Sequence, residues 1–166
     1  MPSFIDIVDQ ISEYTGRVIS WLAVFMACLL FLVVILRYGF NFGWIWMQEI
    51  VTYSHAIFFM MAAAFTLKED GHVRIDVIYR TASPKYKLRL NQIGSIIFLL
   101  PTCSFIFYFS FGYVIDSWSY LESSRESGGL PIVFILKSVI LLFSFSLLLQ
   151  CLAEITRNTI KLRGLK

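Results

Sequence analysis

Charge is the scarcest commodity in this sequence. Asp, Glu, Lys and Arg make up 15% of its 166 residues, while 58% are hydrophobic and 17% aromatic. A water-soluble domain of this size needs far more polar surface to cover its core. Cysteine is also sparse: Cys28, Cys103 and Cys151 sit singly in three separate apolar runs. Without a CxxC pair they offer no thiol-redox or zinc motif, and in such runs they act as small apolar residues. There are only two histidines, His55 and His72. No glycine-rich phosphate loop, metal-ligand cluster or nucleophile motif occurs. These absences remove the usual grounds for an enzyme or a cofactor site, and the expectation is a protein without catalytic activity.

What the sequence has in abundance is long apolar runs. A helix crossing a hydrocarbon core of about 30 Å needs about 20 mostly apolar residues. Stretches free of charge at Val18–Leu36, Ile50–Leu67 and Leu90–Ile115 meet this, and a fourth, Ser127–Ala153, is interrupted only by Lys137. The fold expected is all-α: a single membrane domain over 1–166, a four-helix bundle with spans near 18–36, 50–67, 90–115 and 131–153. The segment before the first span is long and acidic, with Asp6, Asp9 and Glu13. That is unlike the short basic start of a signal peptide, so the first span is read as retained. Trp21, Trp44, Trp46 and Trp118 fall at span ends, where amphipathic rings favour the headgroup level.

The distribution of Lys and Arg orients the chain. An even number of spans puts both termini on one side, with Arg17, Lys68, Arg74, Arg80, Lys85, Lys87, Arg89, Arg157, Lys161, Arg163 and Lys166. Only Arg37 and Arg125 fall on the other. Basic residues collect on the cytoplasmic face, so both termini are expected there. The net charge of +3 marks a membrane face and is no sign of nucleic-acid binding.

Connections are legible too. Residues 4–17 place Phe4, Ile5, Ile7, Val8, Ile11 and Tyr14 along one face, which predicts a short N-terminal amphipathic interfacial helix. Asp70-Gly71 ends the second span, and Val73, Ile75 and Val77 alternate with Arg74 and Asp76 along the inner surface. Ser83-Pro84 is a helix start. Pro101 predicts a kink near Ile97–Pro101. Asp116–Glu126 is expected to prolong the third helix until Gly128-Gly129 breaks it, and Pro131 to open the fourth.

Few polar residues invite a functional reading. Lys137 is the one ionisable group clearly inside a span, about 10 Å along the helix from Pro131. It either snorkels to the headgroups or pairs with a carboxylate, and Glu49 and Asp116 lie at matching depth. Arg37 and Glu49 flank the loop 38–48 and are placed to meet. His55 and His72 invite a haem reading, but 17 helical residues separate them by about 25 Å, too far for one iron within a chain. Gly94-Ser95 offers a weak small-residue contact. Sixteen phenylalanines make helices that are apolar all round, suited to lipid on one side and a large protein partner on another.

Arg37-Tyr38-Gly39-Phe40-Asn41 followed by Trp46-Met47-Gln48-Glu49-Ile50 resembles the R-Y-x-F-N…W-x-x-E-[IL] signature of one family. Lys68-Glu69-Asp70-Gly71-His72-Val73-Arg74-Ile75-Asp76-Val77 is similar to its G-H-[IV]-x-[IV]-D segment, and Gly129-Leu130-Pro131 with Lys137 to its fourth-helix entry. The family is the small membrane (DctQ-like) subunit of tripartite ATP-independent periplasmic (TRAP) transporters, and the likeness covers nearly the whole chain. Gln48 departs from it, standing where many members carry an acidic or small residue. The resemblance implies a bacterial inner-membrane, multi-pass protein without a cofactor. Its partners would be a large membrane subunit, which binds substrate and sodium and moves by an elevator motion, and a periplasmic binding protein that delivers an organic acid. The small subunit would widen the stationary scaffold and help dock the binding protein. By carry-over Arg37, Glu49 and Lys137 take interface or structural ion-pair roles, and Gly71, His72 and Asp76 form a cytoplasmic loop motif. The entry Glu126–Pro131 looks like that of a subgroup linked to keto acids, hydroxy acids or polyols.

Two other readings compete. A membrane anchor of a redox complex would hold haem or quinone, and a haem Soret band would mark it. A small self-contained exporter would place a carboxylate at mid-membrane, whereas Glu49 lies at a boundary.

Overall fold

A computed structural model describes residues 3–72 and 82–164 of the chain. Helix α1 runs Phe4–Gly39, α2 Ile45–Lys68, α3 Pro84–Gly94, α4 Leu100–Ser119 and α5 Val133–Gly164. A π turn over Ser95–Leu99 joins α3 to α4, so the two form one span. The result is an all-α membrane protein in which, among the described residues, four helices are long and apolar enough to cross a bilayer.

Each boundary has a local cause. Ser3 caps α1 reciprocally: its hydroxyl accepts from the Asp6 N–H, and the Asp6 carboxylate accepts from the Ser3 N–H at 2.8 Å. Residues 4–17 are helical, but they are not a separate interfacial helix. Nothing breaks the backbone between Phe4 and Gly39, so the amphipathic segment forms the first turns of a 36-residue helix. At about 1.5 Å per residue that helix is about 54 Å long and must project beyond the hydrocarbon. Ser83 caps α3, with Pro84 in the first turn where its missing N–H costs nothing.

Pro101 explains the π turn. Its ring would collide with the Ile97 carbonyl in a regular helix, and it has no N–H to give. The backbone widens just before it, and the Leu100 N–H reaches back to the Ser95 carbonyl. Elsewhere the termini differ from expectation. Helix α4 stops at Ser119 rather than continuing toward Glu126, because Leu121 turns into the left-handed region at φ 48°. Helix α5 begins at Val133, so Pro131 lies just outside it and the carbonyl of Ile132 accepts the first helical N–H groups.

Helix α5 is the hub. It packs against α1, α2, α3 and α4, whereas α4 packs chiefly against α5 alone. The reason is visible in its buried residues, which form two stripes. Ser144, Leu147, Cys151 and Asn158 recur at helical spacing on one side, and Val139, Gln150 and Ala153 on the next. Bilayers supply no hydrophobic drive between helices, so close approach through small residues has to hold them. Ser144, Cys151 and Ala153 are almost wholly buried, and Cys103 and Ala64 face the same seams. The seam between α1 and α2 closes on a glycine. A Cβ on Gly16 would sit 2.5 Å from Cγ of Phe65. Gly94, by contrast, meets nothing within 4 Å and mediates no close approach in this chain.

Candidate functional site

Charged and polar side chains collect in two clusters at opposite ends of the helices. One lies beside the 40–44 and 120–132 connections, the other beside the two termini.

At the loop end the segment after α4 folds over the start of α2. The Ser124 N–H donates to the Leu130 carbonyl at 3.0 Å, and the Gly129 N–H to the Glu126 carbonyl at 3.0 Å, so the loop closes on itself. Gly128 takes φ +81°, which glycine adopts without strain. The Glu49 carboxylate then fills the loop from below. One oxygen accepts the Leu130 N–H at 2.6 Å and the other the Ser124 hydroxyl. Gly129 has to lack a side chain here: a Cβ would lie 2.4 Å from Ser124 Oγ and 2.8 Å from Glu49 Oε1.

Lys137 is paired within the same region, though with neither carboxylate of matching depth. Its ammonium binds Glu122 and stands 3.8 Å from the centroid of the Tyr113 ring. Glu122 also accepts the Ser117 hydroxyl at 2.6 Å. Both bonds favour the ionised carboxyl, Lys137 first and Ser117 second, and hold Glu122 below the usual carboxylate range. Glu122 escaped the sequence reading because the segment was expected to be helical, which would have pointed it elsewhere. Trp118 braces the corner by donating to Ser138 Oγ at 2.8 Å and packing edge-on against Phe134.

Arg37 and Glu49 do not pair. Both Glu49 oxygens are occupied by the loop, while Arg37 is exposed and forms no ion pair among the described residues.

At the termini end α1 is stitched to α5 and α2. Gln150, wholly buried in the fourth span, donates to Asp9 Oδ1 at 3.1 Å and accepts from Ser12 Oγ at 2.7 Å. Arg157 binds both Asp9 and Glu154. Lys68 joins Glu13 at 2.6 Å and Glu69 at 3.1 Å. Gln92 Nε2 donates to Thr159 Oγ1 at 2.9 Å, tying α3 to α5. Gln150 carries no charge and was not among the expected polar sites. A lone amide within Leu147–Leu152 was the signal, since a buried amide must find partners.

The loop motif after α2 is seen only in part. Gly71 follows the helix, and its N–H donates to the Thr66 carbonyl at 2.9 Å. His72 is exposed. Asp76 and the Val73–Val77 alternation lie outside the described residues. His55 sits on the outer face of α2, stacked on Phe59, away from His72. Among the described residues no group of three or more His, Cys, Asp and Glu is placed to hold a metal.

Chemically, both clusters tie up hydrogen-bonding groups instead of presenting them. Residues 26–160 match the family model described as tripartite ATP-independent periplasmic transporters, DctQ component. No curated protein and no solved structure matches the chain.

Proposed function

This chain belongs to the DctQ-component family of tripartite ATP-independent periplasmic transporters, and from that premise we propose that it is the non-catalytic small permease subunit. It stands as a stationary scaffold beside a large elevator-type membrane subunit, in ion-coupled uptake of an organic acid delivered by a periplasmic binding protein. One observation carries this reading. The polar clusters at the two ends lock α1, α2, α4 and α5 together. The seams between them are built of Cys103, Val139, Ser144 and Leu147. A charged solute gains nothing from such a seam, because leaving water for apolar surroundings without partners costs several kcal/mol, roughly 2–7 for a neutral polar group alone. A stiff, greasy wall is what a moving neighbour needs to slide against.

The excess of Lys and Arg at the termini end supports a cytoplasmic position for both termini in the bacterial inner membrane. The Glu49 loop then faces the periplasm, on the side from which a binding protein docks. Arg37, Glu49 and Lys137 hold that face in shape or contact the partner; Gly71, His72 and Asp76 belong to the opposite, cytoplasmic face. No observation favours a redox anchor.

Reconstitution tests the reading. Liposomes holding this chain, the large subunit and the binding protein take up substrate against its gradient, and liposomes lacking this chain lose that uptake. Transport by this chain alone overturns the proposal. Orientation is checked by single-cysteine labelling in a cysteine-free background: a membrane-impermeant maleimide reaches Ser127→Cys from the periplasm and leaves Lys85→Cys untouched.

A further inference from the structure

The imidazole of His55 lies in a place that lipid cannot satisfy. Helix α2 has 24 residues and His55 is ten residues past its first, Ile45. It lies six residues past Glu49, which sits at the boundary of the span, so at about 1.5 Å per residue it is about 9 Å inside the hydrocarbon. There the ring is exposed on the outer face and stacks on Phe59, and among the described residues neither nitrogen has a hydrogen-bond partner. Hydrocarbon offers no donor or acceptor, so a polar ring at this depth is costly unless protein covers it.

His55 is not isolated. Gln48, Thr52, His55 and Phe59 follow one another at spacings of four and three, so they form one stripe, and all four are exposed. Beside the stripe a groove opens between α1 and α2, lined by Met26, Ala27 and Leu30 on one wall and Val51, Thr52 and His55 on the other. Ala27 gives it depth. On α1 the same face continues through Val34 to Arg37, which is exposed at the end where Gln48 also lies. The outer side of α4 differs: Phe105, Phe109 and Phe111 are exposed there with the phenols of Tyr108 and Tyr113, and no imidazole or amide. Acyl chains can cover that surface.

We propose that the α1–α2 groove and the Gln48–Thr52–His55 stripe receive a transmembrane helix of the large subunit. That helix carries a hydrogen-bonding side chain opposite His55 within the hydrocarbon, and a carboxylate or carbonyl near Arg37. The assignment rests on the scaffold reading above and adds which face meets the partner. A ridge of small and apolar residues seats in the groove, and the imidazole fixes register, as interhelical hydrogen bonds do in lipid.

The test uses the assembled complex in membranes. A benzophenone amino acid replaces Leu30, Phe59 or, on α4, Phe109, each with His55 intact. Irradiation is expected to join the large subunit to the probes at Leu30 and Phe59 and not to the probe at Phe109. Capture of the large subunit from Phe109 alone overturns the assignment, as does capture of only a second copy of this chain or only lipid from Leu30 and Phe59. Independently, His55→Leu is expected to weaken co-purification of the large subunit by about threefold, the scale of one interhelical hydrogen bond, while His55→Gln retains it. Unchanged co-purification of His55→Leu counts against the pairing. If the unaltered chain fails to co-purify with the large subunit at all, the scaffold reading itself is wrong, an outcome distinct from capture at the wrong face.

Discussion

Glu49 near the start of α2 accepts the backbone N–H of Leu130 at 2.6 Å, across 81 residues of chain. A single carboxylate thereby holds the 120–132 loop over the helix ends, and the fit leaves no room above it. Gly129→Ala is expected to lift the loop, since its Cβ would press on Ser124 Oγ and on Glu49 itself. Overpacking of this kind costs about 1–3 kcal/mol. The check is faster proteolysis or cysteine labelling between residues 120 and 132, with helix content unchanged.

Lys137→Met removes the cation from the Glu122 pair and from the face of Tyr113. Insertion should be normal, because the change makes the fourth span more apolar. The thermal midpoint in detergent should fall by several degrees, and uptake by the assembled transporter should fall with it. Adding Glu122→Gln is expected to recover part of the stability, since an unpaired carboxylate is worse than a neutral pair. Wild-type midpoint and uptake in the single variant would remove any role for Lys137 beyond filling space.

Acid should weaken the same corner. The folded carboxyl of Glu122 is held below its ordinary value of 4.5 by Lys137 and Ser117. Between that depressed value and 4.5 the unfolded chain binds more protons than the folded one, so stability rises with pH. The contribution is complete above the ordinary value and is lost as pH falls through the depressed one. Thermal midpoints measured from neutral pH down to strongly acid pH should show this loss in the wild type, and a shallower loss in Glu122→Gln.

Gln150→Leu is expected to destabilise the protein by about 1–3 kcal/mol, because the buried Ser12 loses its partner and Asp9 is left with Arg157 alone. The comparison is with Ser12→Ala in the Gln150→Leu background, which should cost little more. Independent, additive losses would mean that the two residues do not act as one unit.

Gly16→Leu is expected to wedge α1 from α2, since even a Cβ collides with the Phe65 ring. Phe65→Ala in the same chain should relieve much of the damage. Thermal stability of the two variants in detergent settles it: equal losses would mean that Gly16 is not a packing contact.

The spans were readable from composition because the bilayer imposes one requirement on every residue of a stretch at once. Ser83-Pro84 and Pro101 were readable because capping and the missing N–H act within a few residues. The loop after Ser119 was not. Its path depends on Leu121 turning left-handed and on Glu49, far away in the chain, receiving Leu130. For the same reason the choice for Lys137 between snorkelling and a carboxylate stayed open in the sequence, and Glu122 was missed.

From its residues alone, then, the chain declares that it crosses a membrane four times, which family signature it carries, that Ser83-Pro84 starts a helix and that Pro101 distorts one. These follow from local chemistry: apolar length, cap residues, proline and runs of motif. Only the three-dimensional packing decided that α5 is the hub, that Glu49 serves the loop rather than Arg37, that Gln150 reaches Asp9 and Ser12, and that His55 faces outward. Such partnerships depend on which faces the helices turn to one another. That is set by the fit of small residues such as Gly16, Ser144 and Ala153 across the seams, over distances that no spacing along a single helix can encode.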